Sequence, residues 1–238
     1  MGVKYGVNIP TDNSLVLFVD AGNVKSYPGS GTIWYDLSKR KNDMSLVNGP
    51  VYSSATGSFN FDGSNDYAVT NVSDIDPFFD AHSFTTICWF NVDSFNDGYM
   101  FSHGESFDTD KIKWGLHTAS SSNIFRSWFE AQDDADYYLN GDGKQLQVGN
   151  WYQGVVTYDG PTNAWRMWVN GSLVNTGTPA QDPAFIDQPV VIGCRNNNGG
   201  VYQTFFDGSI AIAQYYTRVL TDNEIRQTFY AFRGRFGI

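Results

Sequence analysis

Three sets of residues in this 238-residue chain have the types and spacing to do chemistry. The first is acidic. Glu130 in SWFEAQDD is followed by Asp133 and Asp134. Hydrolysis of a glycosidic bond takes two carboxyls held about 5–5.5 Å or about 6.5–9.5 Å apart across the bond. Here the two aspartates fall where a strand must turn, so the spacing argues against an acid–base pair, and no catalytic residue is expected. His82, His103 and His117 are scattered without a nucleophile pattern beside them and read as loop or strand-end residues. The chain has no phosphate loop and no CxxC zinc spacing.

The second set is the tetrapeptide FDGS, found in FDGSNDY at 61–67 and again in FDGSIAI at 206–212. Hard cations take clustered carboxylates and carbonyls, and Asp20, Asp62, Asp66 and Asp207 are the acids that would supply them. Asp20 and Asp207 are the first choices should calcium be held. Asp before Gly is also the ordinary turn pair, which accounts for both copies without a metal. The expectation is therefore no cofactor, with calcium as the one cation these acids leave open.

The third set suits sugars, which present an apolar ring face and a polar rim to aromatic platforms with amide, carboxylate or guanidinium neighbours. Trp114, Trp128, Tyr137, Tyr138 and Tyr202 are candidate platforms, although alternation this dense also places aromatics in a core. The loop CRNNNGGVYQ at 194–203 and the DTDK loop at 108–111 read as exposed. The candidate carbohydrate- or partner-binding residues are thus Arg195, Asn196, Asn197, Tyr202, Asp108 and Trp128.

Composition narrows the partners. Acids outnumber bases 25 to 15, a formal net charge of -10, which repels nucleic acid and anionic membrane surfaces. No apolar run approaches the ~20 residues that span a bilayer, and MGVKYGVNIPTDNS has no apolar signal-peptide core. Cys88 and Cys194 sit in apolar strand-like runs and read as buried free thiols. Aromatics at 16% and 24 glycines favour strands and turns.

The elements that must position these residues are short strands. SLVLFVD (14–20) and SFTTICWFNV (83–92) are apolar, the latter long enough to be buried on both faces. KIKWGLH, NIFRSWFEA and DYYLNGDGK follow. LVNGPVY predicts a hairpin at Asn48-Gly49, and FDGSNDY another at Asp62-Gly63. WYQGVVTYDG and AWRMWVNGSLV predict hairpins at Asp159-Gly160 and Asn170-Gly171, with Trp165, Met167 and Val169 on one face. In the strand after the second FDGS, strict alternation puts Phe206, Ile210, Ile212 and Tyr216 on one face. One helix is predicted over TDNEIRQTFYAFRG, opened by a Thr221/Glu224 capping box and stopped at Gly234. The fold class is all-β, a two-sheet antiparallel jelly-roll sandwich with one short C-terminal helix. Residues 1–13 show neither period and read as an N-terminal arm, with 14–238 as a single domain.

The ordered phrases FDGSNDYAV, SFTTICWFN, NWYQGVVTYDG, WRMWVNGSLV, IGCRNNNGG and FFDGSIAIAQYYTRVLTDNEI resemble the laminin-G-like branch of the concanavalin A-like lectin/glucanase superfamily. The resemblance runs from about Leu15 to Phe232. It implies a jelly roll that serves lectins, glycanases, adhesion modules and spacers alike. The Glu-x-Asp-x-x-Glu strand of the glucanase branch is missing here, and the position that carries a calcium-associated Asp in part of the superfamily is Ala211. The phrases at Asp20–Asn23, Ser26–Thr32, Trp34–Ser38 and Arg233–Ile238 are similar to domains of tailed-bacteriophage structural proteins. That likeness implies a non-enzymatic virion-surface protein, a capsid decoration or fibre component made in the host cytoplasm. Its partners would be other virion proteins and further copies of itself. A carbohydrate-binding adhesin that recognises a cell-surface glycan is the alternative, and a glycoside hydrolase the third.

Overall fold

Short apolar runs separated by glycine turns become strands throughout. The computed structural model describes residues 9–71, 83–104, 113–120, 122–131, 135–183, 188–197 and 201–238. The first strands are β1 (Leu15–Asp20), β2 (Ile33–Trp34), β3 (Met44–Val47), β4 (Val51–Ser53), β5 (Ser58–Asp62) and β6 (Tyr67–Thr70). Then come β7 (Phe84–Val92), β8 (Tyr99–His103), β9 (Lys113–Ala119), β10 (Ile124–Glu130), β11 (Asp136–Gln145) and β12 (Trp151–Asp159). The chain closes with β13 (Ala164–Val169), β14 (Ser172–Gly177), β15 (Val190–Ile192), β16 (Arg195–Asn197), β17 (Val201–Gln203), β18 (Asp207–Tyr216) and the helix α1 (Asp222–Phe236).

These strands form two antiparallel sheets of eight and a small hairpin of β16 and β17. Sheet one runs β14-β13-β12-β7-β18-β5-β4, and β1 takes over from β5 along the C-terminal half of β18. Sheet two runs β11-β10-β9-β8-β15-β6-β3-β2. Between them lies the main core, where Phe90, Trp114, Phe125, Phe129, Met167 and Tyr215 are buried. Each such side chain contributes about 1.5–3 kcal/mol by leaving water. As expected, β7 is buried on both sides: Phe84, Cys88 and Phe90 face the core, Ile87 and Trp89 face outward beneath the helix. Both cysteines are free and buried, and burial pushes their thiols well above the usual range.

The hairpin at Asn170-Gly171 forms as predicted, with φ of 51° and 70° at its two residues. Two other predicted hairpins do not. Asn48 and Gly49 take positive φ, but β3 lies in sheet two and β4 in sheet one, so this turn crosses the sandwich. The Asp62-Gly63 turn likewise joins β5 of sheet one to β6 of sheet two. Turn residues set a few dihedrals; which sheet the next strand joins depends on where its apolar face finds a partner.

Two further expectations are corrected. A register shift between Ile210 and Ile212 inserts a bulge at Ala211 in β18. Phe206 and Ile210 therefore face the main core, while Ile212 and Tyr216 face the helix, because one extra residue inverts a period of two. Gly234 does not stop the helix, which continues to Phe236 and closes on Gly237 at φ 71°.

Part of the segment expected as an arm is tied to the domain. Tyr216 Oη donates to the Pro10 carbonyl at 3.1 Å, and Arg218 pairs with Asp12 at 2.9 Å. Residues 1–8 lie outside the described residues.

Candidate functional site

The two outer faces of the sandwich are finished differently. On sheet one, α1 lies over Ile87, Trp89, Val155 and Trp168 and forms a second apolar cluster. Trp89 stacks on Phe229 at 5.9 Å and on Phe236 at 4.7 Å, and Gln153 Nε2 donates to Thr228 Oγ1 at 2.9 Å. Thr221 and Glu224 form the predicted capping box, and Arg218 grips Glu224 with two nitrogens at 2.6 and 2.9 Å. That face is sealed.

Sheet two presents rows of polar and aromatic side chains instead. Along β10, Phe125 and Phe129 point into the core, so Arg126, Trp128 and Glu130 point outward. The pairing registers bring Tyr99, His117, Arg126 and Asn140 into one cross-strand row, and Ser102, Gly115, Trp128 and Tyr138 into the next. Tyr99 lies flat on His117, with centroids 4.8 Å apart and planes at 10°. It can do so because the neighbouring residue is Gly115, where a Cβ would sit 2.3 Å from the Tyr99 ring. The Arg195 guanidinium covers the Tyr99 ring at 5.5 Å, and Arg126 lies 5.6 Å from the centre of the Tyr138 ring. Arg126 Nε donates to Asn140 Oδ1 at 2.7 Å, and Trp128 Nε1 donates to Asp136 Oδ1 at 2.9 Å. Tyr138 is 53% exposed, an open ring on an otherwise filled face.

The electrostatics follow from burial. Loss of water, reinforced by the Arg126 charge, lowers His117 to about 4, so its imidazole is neutral. Its Nδ1 lies 3.2 Å from the Thr118 carbonyl oxygen, which makes Nδ1 the protonated nitrogen and Nε2 a bare acceptor. Burial raises Tyr99 to about 12 against the opposing pull of Arg195.

The structure brings some of the expected site residues together and separates others. Arg195, Asn196 and Trp128 line one crevice with Tyr99 and Ser102. The described part of the 194–203 segment is strand rather than loop: Arg195–Asn197 pairs antiparallel with Val201–Gln203, and Asn196 is only 2% exposed. Trp128 is buried and its nitrogen is engaged by Asp136, so its ring is not an open platform. Tyr202 is paired opposite Asn196 but stacks on Tyr67 at 4.1 Å and does not line that crevice. Trp114 belongs to the core, and Tyr137 packs inward on Phe129. Asp108, His82, Asp133 and Asp134 lie outside the described residues, as does the side chain of Asn197.

Asp20 is engaged by Arg235 at 2.6 Å, and Asp207 accepts from Ser94 Oγ. Among the described residues no group of three or more His, Cys, Asp or Glu side chains is arranged to hold a metal. Glu130 is paired opposite Asp136 across β10 and β11, rather than opposite a residue that follows it closely.

Sequence reasoning passed over Tyr99, His117, Arg126, Asp136 and Asn140. A signal was present for four of them. RSWFE, DYYLN and KWGLH alternate between core residues and Arg126, Asp136, Asn140 or His117, which is the period of a half-buried strand. Tyr99 carried none, since a bulge in β8 between Tyr99 and Phe101 turns it outward.

A laminin G-type family model, described as the concanavalin A-like lectin/glucanases superfamily, matches residues 62–226. No curated protein matches the chain in sequence. Among solved structures, the binding domain of Paraclostridial Mosquitocidal Protein 1 aligns with a TM-score of 0.69 at 12% identity, over 92% of this chain and 52% of that one. The binding domain of botulinum neurotoxin DC in complex with SialylT gives 0.67 at 11% identity, over 93% and 52%. The Trypanosoma rangeli sialidase in complex with sialic acid gives 0.64 at 18% identity, over 95% and 34%. Identities this low establish a shared fold. The chain spans about half the length of the two binding domains and about a third of the sialidase.

Proposed function

The chain belongs to the concanavalin A-like lectin/glucanases superfamily, and from that premise we propose that it is a non-enzymatic recognition module that binds glycan on the outer face of sheet two. One observation carries this reading. The helix seals one outer face of the sandwich, whereas the other keeps the exposed Tyr138 ring beside Arg126, Asp136 and Asn140. An apolar ring fringed by donors and acceptors is what a sugar's apolar face and hydroxyl rim require. Structural neighbours in complex with SialylT and with sialic acid are consistent with this use of the fold. The test is a glycan array probed with the chain and with Tyr138→Ala. Binding that falls at least ~10-fold in the variant, with an unchanged melting temperature, is expected; no binding by the native chain would overturn the proposal.

The absence of hydrolysis belongs to the same reading. Asp136, the carboxylate opposite Glu130, is occupied by Trp128 Nε1 and accepts from Tyr138 Oη at 3.4 Å. Incubation with a polysaccharide panel is expected to release no reducing ends. Release that Glu130→Gln abolished would instead make this pair the catalytic acids of a glycanase.

Placement on a tailed-phage virion, as capsid decoration or fibre, is supported by the resemblance of the phrases at 20–38 and 233–238. Asp20 and Arg235, from the first and last of those phrases, form a single lock between β1 and α1, so part of that likeness serves the fold itself. Peptides of this chain in purified particles are the expected finding, and a particle proteome without them would remove this placement.

A further inference from the structure

We propose that the outer face of sheet two selects acidic saccharides, with Arg126 as the residue that recognises the ligand's carboxylate. The inference rests on the glycan-binding reading above and adds the chemical class of the sugar. Arg126 uses Nε to hold Asn140 Oδ1, which fixes the guanidinium plane beside the exposed Tyr138 ring. Among the described residues Arg126 makes no ion pair, although the protein as a whole carries a net charge of -10. A second guanidinium, that of Arg195, enters the same face over Tyr99. Between the two, His117 is neutral and supplies no third cation, and its Nε2 is buried without a hydrogen-bond partner among the described residues. Asn196 lines the Arg195 crevice with its amide oxygen buried and without a hydrogen-bond partner among the described residues.

The complement to this arrangement has a planar anion for the guanidinium fork and an apolar ring face for Tyr138. A carboxylate-bearing sugar has both. A neutral sugar would leave Arg126 without its partner. A featureless polyanion would meet the overall negative field without the ring contact.

The experiment prints uronic- and nonulosonic-acid glycans beside their methyl esters, with dextran and dextran sulfate as controls. It is read with the full chain, Arg126→Gln, Arg126→Lys and Tyr138→Ala, each checked for an unchanged melting temperature. We expect acids to be bound at least ~10-fold more tightly than their esters. That preference should vanish in Arg126→Gln, survive in part in Arg126→Lys, which keeps the charge without the fork, and be lost with all binding in Tyr138→Ala. Equal binding of acids and esters would overturn the acidic preference and leave glycan binding standing. Binding of dextran sulfate as strongly as the acids, unchanged in Arg126→Gln, would mean unspecific polyanion attraction and would overturn the inference as well. No binding to any glycan would remove both.

Discussion

Asp62 and Asp207, the aspartates of the two FDGS copies, stand directly opposite each other in the antiparallel pairing of β5 with β18. Like charges in facing positions destabilise a sheet, unless each is occupied. Asp62 accepts the backbone N–H groups of Ser64 at 2.8 Å and Asn65 at 3.1 Å, which hold its carboxyl below the usual range. Asp207 accepts from Ser94 Oγ. The repeated tetrapeptide is therefore not a duplicated unit: the first copy turns out of β5 at Asp62-Gly63, the second opens β18 at Asp207, and the two meet only through strand pairing.

Gly63 makes that meeting possible. It has φ +70°, and a Cβ on it would come within 2.8 Å of the Asp207 Cβ. Gly63→Ala is expected to destabilise the domain by about 1–3 kcal/mol in urea titration. Chelation, by contrast, is expected to move the melting temperature by less than ~2 °C, and a larger fall would reveal a bound cation.

Arg235 is expected to be the most sensitive residue of the helix. Its guanidinium donates to Asp20 Oδ1 at 2.6 Å, to Thr56 O at 3.2 Å and to Gly57 O. It fits because residues 22 and 57 are glycines, at either of which a Cβ would fall within 2.6 Å of the guanidinium. Arg235→Ala leaves the Asp20 carboxylate buried without its cation and should cost about 2–4 kcal/mol in chemical denaturation. Asp20→Asn combined with Arg235→Ala should cost less than the sum of the two single changes.

Acid should loosen the junction between strand and helix. The bidentate hydrogen bonds from Arg218 hold Glu224 at about 2, against an ordinary value of 4.5. A depressed carboxylate contributes stability that is complete above about 4.5 and is lost as the pH falls toward about 2. The melting temperature of Glu224→Gln should therefore be lower than that of the native chain at pH 6, and the gap should close by pH 2. Deleting residues 1–13 removes Asp12 from Arg218 and should lower stability by up to ~1 kcal/mol, whereas deleting 1–8 leaves that pair in place.

His117 sets a second pH window. Its native value of about 4 lies below the 6.5 of the unfolded chain, so between those limits the unfolded state binds more protons and acid favours unfolding. The contribution is complete above about 6.5 and lost as the pH falls toward about 4. His117→Gln should flatten the stability profile across that interval. A His117 imidazole resonance that titrated near 6.5 by NMR would contradict a buried, neutral imidazole beneath the Tyr99 ring.

The sequence by itself determined what is local. Alternation in 164–169 assigned Trp165 and Met167 to the core face and Trp168 to the other, because side chains in a strand must alternate. Thr221 and Glu224 announced the start of the helix, because the cap is made within one turn of the chain. Asn170-Gly171 announced its hairpin, because positive φ at both residues suits few other sequences. Only the tertiary structure decided that Asn48-Gly49 and Asp62-Gly63 cross between sheets, that Ala211 bulges, and that Tyr99, His117 and Arg126 from three strands share one row. Those outcomes depend on pairing registers between segments far apart in the chain, and on which face the helix reaches first. No short stretch of residues contains that information, because it arises when separate apolar faces compete for the same partners.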